Sequence, residues 1–160
     1  MSRFSEVEWD DLESLLAYGR WMGRRKAVLN GRPGKIALRD LERVLILMPH
    51  KRLITGALCD GTGVCANGAW LYRHYIESGI SPRAAWQKLK SSGKDRDFGN
   101  GDNDEFNRTT SMTVTALGIT ETLAIIIAFI NDEEVYAITP EDRYTQVLSK
   151  VQYYIREGVK

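Results

Sequence analysis

Thr120-Glu121-Thr122-Leu123-Ala124-Ile125-Ile126-Ile127-Ala128-Phe129-Ile130 is the stretch on which the fold turns. Thr120 suits an N-cap, because its hydroxyl can accept a hydrogen bond from an amide two or three residues on. The run from Leu123 to Ile130 is apolar nearly all round, which predicts a central buried helix rather than a surface one. The β-branched run Ile125-Ile126-Ile127 argues for a strand instead, so both readings stand at this point. Asn131-Asp132-Glu133-Glu134 then brings the chain to water, and Thr139-Pro140-Glu141-Asp142 joins a cap, a proline and first-turn acids. Tyr144, Val147, Leu148, Val151, Tyr154 and Ile155 keep helical spacing to Arg156, and Gly158 ends the run. From about Thr109 to Gly158 these signals predict a helix–turn–helix hairpin against which the earlier elements pack.

Outward from that hairpin, more helices are expected. Ser5 and Glu8 have capping-box spacing, which predicts a helix from about Glu6 to Met22. Asn30-Gly31 and Pro33-Gly34 make residues 24–35 read as turn chemistry with exposed bases. Leu38, Leu41, Val44, Leu45 and Met48 repeat at three and four, giving an amphipathic helix that Pro49 closes. Two short β-capable runs around Asp60-Gly61-Thr62-Gly63 predict a small β-hairpin near residues 51–66. Helices are then expected from about Ala66 to Glu77 and from Ser81-Pro82 to Ser91. The polar stretch 94–108 reads as a mobile surface loop. The expected fold is mainly α: one compact domain over 1–160, of about six helices with one small hairpin.

Length and composition agree with one domain. At 160 residues, 43% hydrophobic and 27% charged, the chain can fill a single core. The acid-bearing start has no apolar core of a signal peptide, and the apolar run Leu123 to Ile130 is too short to span a bilayer, so no membrane association is expected. Two cysteines in a chain of this size point to reduced thiols in a cytosolic setting.

The net charge of +1 hides segregation. Residues 5–13 carry five acids and no base, whereas from Arg20 to Arg52 ten bases face two acids, leaving +8. A local field of one sign steers an acidic partner even when the total is near zero. Arg20, Trp21, Arg24, Arg25, Lys26, Arg32 and Lys35 are therefore the candidate partner-binding residues. They suit an acidic protein surface, or a phosphate backbone with Trp21 stacked on a base. The bland alternative is a solvated face paired with the acids of the first helix.

Other constellations are weaker. His50, Cys59, Cys65 and His74 are the right four donors for tetrahedral zinc, but their spacing departs from the short knuckle; two buried thiols with solvated histidines is the alternative. Cys65 at a helix N-terminus, with His50 or His74 as base, would be a thiol nucleophile. The run from Asp95 lacks the glycine and terminal glutamate of a calcium loop, and Gly61, Gly63 and Gly68 make no phosphate-binding fingerprint. Glu133-Glu134 and Glu141-Asp142 read as helix-end charges. No cofactor, no metal and no catalytic residue are expected.

At Lys51-Arg52-Leu53-Ile54 through Val64-Cys65-Ala66-Asn67-Gly68-Ala69, and again at Leu117-Gly118-Ile119-Thr120 through Leu123-Ala124, Asn131-Asp132-Glu133 and Thr139-Pro140-Glu141-Asp142-Arg143-Tyr144, the chain resembles small uncharacterised accessory proteins of tailed bacteriophages and prophages. The likeness runs from about Leu38 to Ile155. Asn67 departs from it, standing where the family's run has a leucine. The resemblance implies a non-enzymatic accessory protein in the host bacterial cytoplasm. Such a protein would inhibit or redirect a host protein or ribonucleoprotein complex, CRISPR effectors and other defence complexes included, by stoichiometric binding. The alternatives are a nucleic-acid-binding protein using the basic segment 20–52, and a small zinc or thiol enzyme. The apolar excess of Ile125 to Ile130 also leaves room for a homodimer.

Overall fold

The computed structural model describes residues 12–91 and 102–160. Among them are seven helices: α1 Leu12–Asn30, α2 Arg32–Leu47, α3 Ala66–Glu77, α4 Pro82–Ser91, α5 Asp102–Leu117, α6 Glu121–Asp132 and α7 Pro140–Glu157. The deciding stretch is a helix. Thr120 Oγ1 accepts from the Leu123 amide at 3.2 Å, and Leu123, Ala124, Ile126, Ile127, Phe129, Ile130 and Asn131 are all buried. Burial on nearly every side offsets the modest helix propensity of isoleucine, since each fully buried aliphatic side chain contributes roughly 1.5–3 kcal/mol. α6 packs against α1, α3, α5 and α7. Its apolar excess is consumed inside the chain, with only Thr122, Ile125 and Ala128 half-buried between its first and last residues.

α7 begins where the Thr139 cap predicts, with Thr139 Oγ1 accepting from the Asp142 amide at 3.1 Å. It leans on α2 as well as on α6. Tyr144 donates its hydroxyl to the Leu45 carbonyl at 2.9 Å, and Gln152 donates to Glu42 at 3.1 Å. The expected hairpin is thus opened by α2, whose face of Gly34, Ala37, Leu38, Leu41, Val44 and Leu45 enters the core.

Three expectations are corrected. The basic stretch 24–35 is not a turn: α1 continues to Asn30, Gly31 alone interrupts the chain, and α2 starts at Arg32 with Pro33 in its first turn. Proline there loses no hydrogen bond and presets φ. Gly34 lets the helices meet, since a Cβ would lie 2.0 Å from the Val28 carbonyl oxygen. The β-hairpin near 51–66 is absent. Cys59 and Val64 form a lone antiparallel bridge, and Gly56 and Gly61 sit at φ 76° and 91°. Leu53 and Ile54, neighbours in sequence, are both buried, which a half-exposed strand with alternating faces cannot achieve. The segment is instead an irregular coil that buries Leu53, Ile54, Leu58 and Val64, tied down by Ile54 N donating to Val64 O at 3.0 Å and Leu53 N donating to Pro140 O at 3.0 Å. Finally, the part of the expected loop 94–108 from Asp102 onward is helix. Residues 94–101 lie outside the described residues, and α5 begins at Asp102. The expected start of the first helix at Glu6 also lies outside them.

Among the described residues no helix is long and apolar enough to cross a membrane.

Candidate functional site

The periodicity that buries Leu38, Leu41 and Leu45 turns a second stripe of α2 outward. Arg32, Lys35, Ile36, Arg39, Arg43 and Ile46 recur at three and four along it and are all exposed. Ile36 and Ile46 are 57% and 52% exposed, so the stripe alternates cations with large apolar side chains.

Arg43 is occupied. It donates to both carboxylate oxygens of Glu77 at 2.6 and 3.2 Å and to Asp40 at 3.0 Å. These bonds, Glu77 first and Asp40 second, raise its pKa further. Arg73 donates to the same Glu77 at 3.0 Å, and Glu77 is held below its ordinary pKa by the two guanidiniums. Arg32, Lys35 and Arg39 have no ion-pair partner among the described residues, nor do the exposed Arg20, Arg24 and Lys26 of α1.

The seven predicted partner-binding residues are therefore divided. Arg20, Arg24, Lys26, Arg32 and Lys35 are exposed, and the α1–α2 junction joins the two helices that carry them. Trp21 and Arg25, one turn apart, face inward toward α6 and α7. Trp21 meets Phe129 edge-on, with ring centroids 5.9 Å apart. Arg25 is 4% exposed, pairs with Glu134, and donates to the Tyr154 hydroxyl, which itself donates to Glu134. Its guanidinium lies 5.2 Å from the centre of the Tyr154 ring. Burial, and then the Glu134 carboxylate, raise the Tyr154 pKa. A charge neutralised inside the protein is not available to a partner, so Arg25 is a structural residue. Ile36, Arg39 and Ile46 were missed as members of the face, although the spacing that marks the buried face of α2 also marks its opposite.

The structure does not gather the four candidate zinc donors at one place. His50 and His74 are exposed, Cys59 is half-buried and Cys65 buried. Among the described residues no three His, Cys, Asp or Glu side chains converge on a place that could hold a metal ion. Cys65 is the α3 N-cap, its Sγ accepting from the Gly68 amide at 3.4 Å. Burial, with Asp132 nearby, pushes its thiol up to about 12, the opposite of what a nucleophile needs. The expected acid pairs serve as structure: Glu134 holds Arg25, and Glu141 pairs with Arg52 at 2.8 Å.

Together these features put unpaired cations and exposed isoleucines side by side on the outward stripe of α2. No protein-family model, curated protein sequence or solved structure matches the chain.

Proposed function

We propose that this is a stoichiometric binding protein that engages an acidic protein surface through α2. The observation that carries the reading is the face Arg32, Lys35, Ile36 and Arg39, in which cations without partners flank an exposed isoleucine. Charged groups steer the encounter, and the apolar side chain supplies area to bury. A nucleic-acid partner for the same segment is less well supported, because Trp21, the ring needed to stack on a base, is packed against Phe129. The resemblance to phage accessory proteins supports a host complex in the bacterial cytoplasm, a defence ribonucleoprotein among them, as the target.

Affinity purification from bacterial lysate tests this, comparing wild type with an Arg32→Glu, Lys35→Glu, Arg39→Glu variant. One protein recovered in stoichiometric amount by wild type, lost with the variant, and rebinding when purified with affinity that falls between about 50 and 200 mM salt, is expected. Equal recovery by both forms, or recovery of nucleic acid alone, rejects it.

A further inference from the structure

The connection between α6 and α7, residues 133–139, is extended in its middle. Exposure alternates there: Val135 is buried, Tyr136 93% exposed, Ala137 half-buried and Ile138 95% exposed, so Tyr136 and Ile138 share one uncovered face. Gln146 of α7 fixes that conformation, its Nε2 donating to the Tyr136 carbonyl and its Oε1 accepting from the Tyr136 amide, both at 3.0 Å. One side-chain amide reaches both groups of a residue when they point the same way, as they do in a strand. The N–H and C=O of Val135 and of Ala137 therefore point to the opposite side. They make no hydrogen bond among the described residues. Because buried backbone groups are nearly always paired, these four face solvent.

Two N–H and two C=O groups in a row beside an apolar face are what an open strand edge presents, and another extended backbone is what pairs with them. Charge decides whose backbone that is. Residues 132–142 carry five acids and no base. Arg25 pairs with Glu134, Arg52 with Glu141, and Arg143 donates to the Asn131 carbonyl, so three cations reach the stretch and it stays net negative. A second copy would lay one acidic connection on another, and a nucleic acid would meet carboxylates, whereas a strand bearing lysine or arginine is attracted. We infer that residues 135–138 are a docking edge for an extended basic peptide segment of a partner protein. Its backbone pairs with Val135 and Ala137, its apolar side chains at alternate positions cover Tyr136 and Ile138, and its cations meet the acids that flank the edge. None of these residues belongs to the stripe on α2, so either assignment can fail while the other holds.

The test is amide hydrogen exchange read by NMR on the full chain, with calorimetric titration, using a synthetic peptide of about eight residues that alternates lysine and valine. Expected are slowed exchange of the Val135 and Ala137 amides with that of Tyr136 unchanged, and binding that weakens with salt. Affinity should fall roughly tenfold or more when the amides of the peptide are N-methylated, and again in a Tyr136→Ser, Ile138→Ser variant. Because both side chains are exposed, that variant should keep the wild-type melting temperature. An Arg32→Glu, Lys35→Glu, Arg39→Glu variant should bind the peptide at least as tightly as wild type. The inference is overturned if the peptide fails to bind at low salt, or if its N-methylated form or a glutamate–valine peptide binds as tightly. It is equally overturned if the Val135 and Ala137 amides exchange as fast in the complex, or if they slow with protein concentration alone, which would give the edge to a second copy.

Discussion

Arg25 in α1 and Glu134 beyond the end of α6 form an ion pair whose side chains are only 5% and 9% exposed, with the Tyr154 hydroxyl of α7 bonded to both. Three elements distant in sequence are thereby locked at one point. Removing one member leaves the other charge buried without its partner, so Arg25→Met should cost roughly 3–5 kcal/mol, while Arg25→Met combined with Glu134→Leu should recover most of that loss. Tyr154→Phe should cost about 1–2 kcal/mol. Urea midpoints of the four proteins measure this, and a double variant no more stable than Arg25→Met alone would contradict it.

Glycines in α1 and α2 separate two roles. At Gly34 an added Cβ would lie 2.0 Å from the Val28 carbonyl oxygen and 2.8 Å from the Leu29 Cα, both backbone atoms that cannot step aside singly. Gly34→Ala should therefore push α1 from α2 and cost about 3 kcal/mol or more. At Gly19 and Gly23 an added Cβ meets nothing within 4 Å. There alanine should stabilise by about 0.5–1 kcal/mol each, because glycine is the poorer helix former. Thermal melts of the three variants distinguish the cases.

Capping chemistry made three helix starts legible. Ser81-Pro82, Thr120 and Thr139-Pro140 lie at the helix boundaries that capping predicts, and the alternation in α2 announces both its buried and its exposed face. What stayed hidden depends on contacts between residues far apart. Nothing near Arg25 shows that Glu134 and Tyr154 will surround it, so it reads as one more exposed base. Gly34 reads as a turn residue because its actual use, close approach to Val28, exists only once α1 and α2 are packed. The coil 51–65 is extended enough to suggest strands, yet its glycines at positive φ and its adjacent buried Leu53 and Ile54 answer to the core rather than to a partner strand.

The carboxyl groups at the end of α6 set a pH dependence of unusual sign. Burial raises the pKa of Asp132 above its ordinary 3.8, outweighing the bond from Asn131 and the field of Arg143. Burial, and then Asp132, raise that of Glu133. Below the ordinary values both folded and unfolded chains are protonated. As pH rises the unfolded chain ionises first, so the stability these groups contribute is lost as pH climbs through their folded pKa values. Asp132→Asn should thus raise the melting temperature at neutral pH and have little effect at pH near the ordinary carboxylate range. Asp60 works oppositely, held low by the Thr62 hydroxyl and amide, so Asp60→Ala should cost most at neutral pH and least in acid. Melting curves from acid to neutral pH check both signs.

The α6–α7 connection pairs a held backbone with free side chains. Gln146 donates to the Tyr136 carbonyl and accepts from its amide, both at 3.0 Å, while the side chains of Tyr136 and Ile138 are 93% and 95% exposed. Gln146→Ala should cost about 1 kcal/mol and speed exchange of the Tyr136 amide hydrogen. Tyr136→Ser and Ile138→Ser should leave stability within about 0.5 kcal/mol. Hydrogen exchange and urea midpoints report the two effects, and a slow Tyr136 amide in Gln146→Ala would refute the role given to that side chain.

Ile36 and Leu38, two residues apart on α2, should divide binding from stability. Leu38 is wholly buried, so Leu38→Ala should cost about 2–5 kcal/mol through lost contacts and a residual cavity. Ile36 is 57% exposed between Lys35 and Arg39, so Ile36→Ser should stay within about 0.5 kcal/mol of wild type in stability. If the face of α2 meets an acidic partner, that same Ile36→Ser should weaken the complex by roughly tenfold, mainly through faster dissociation, since a central apolar side chain acts on lifetime. Arg32→Glu and Arg39→Glu should act chiefly on the association rate and its salt dependence, since long-range attraction governs encounter. Surface plasmon resonance with the isolated partner separates the two rates. An Ile36→Ser variant with unchanged dissociation would assign recognition to the charges alone.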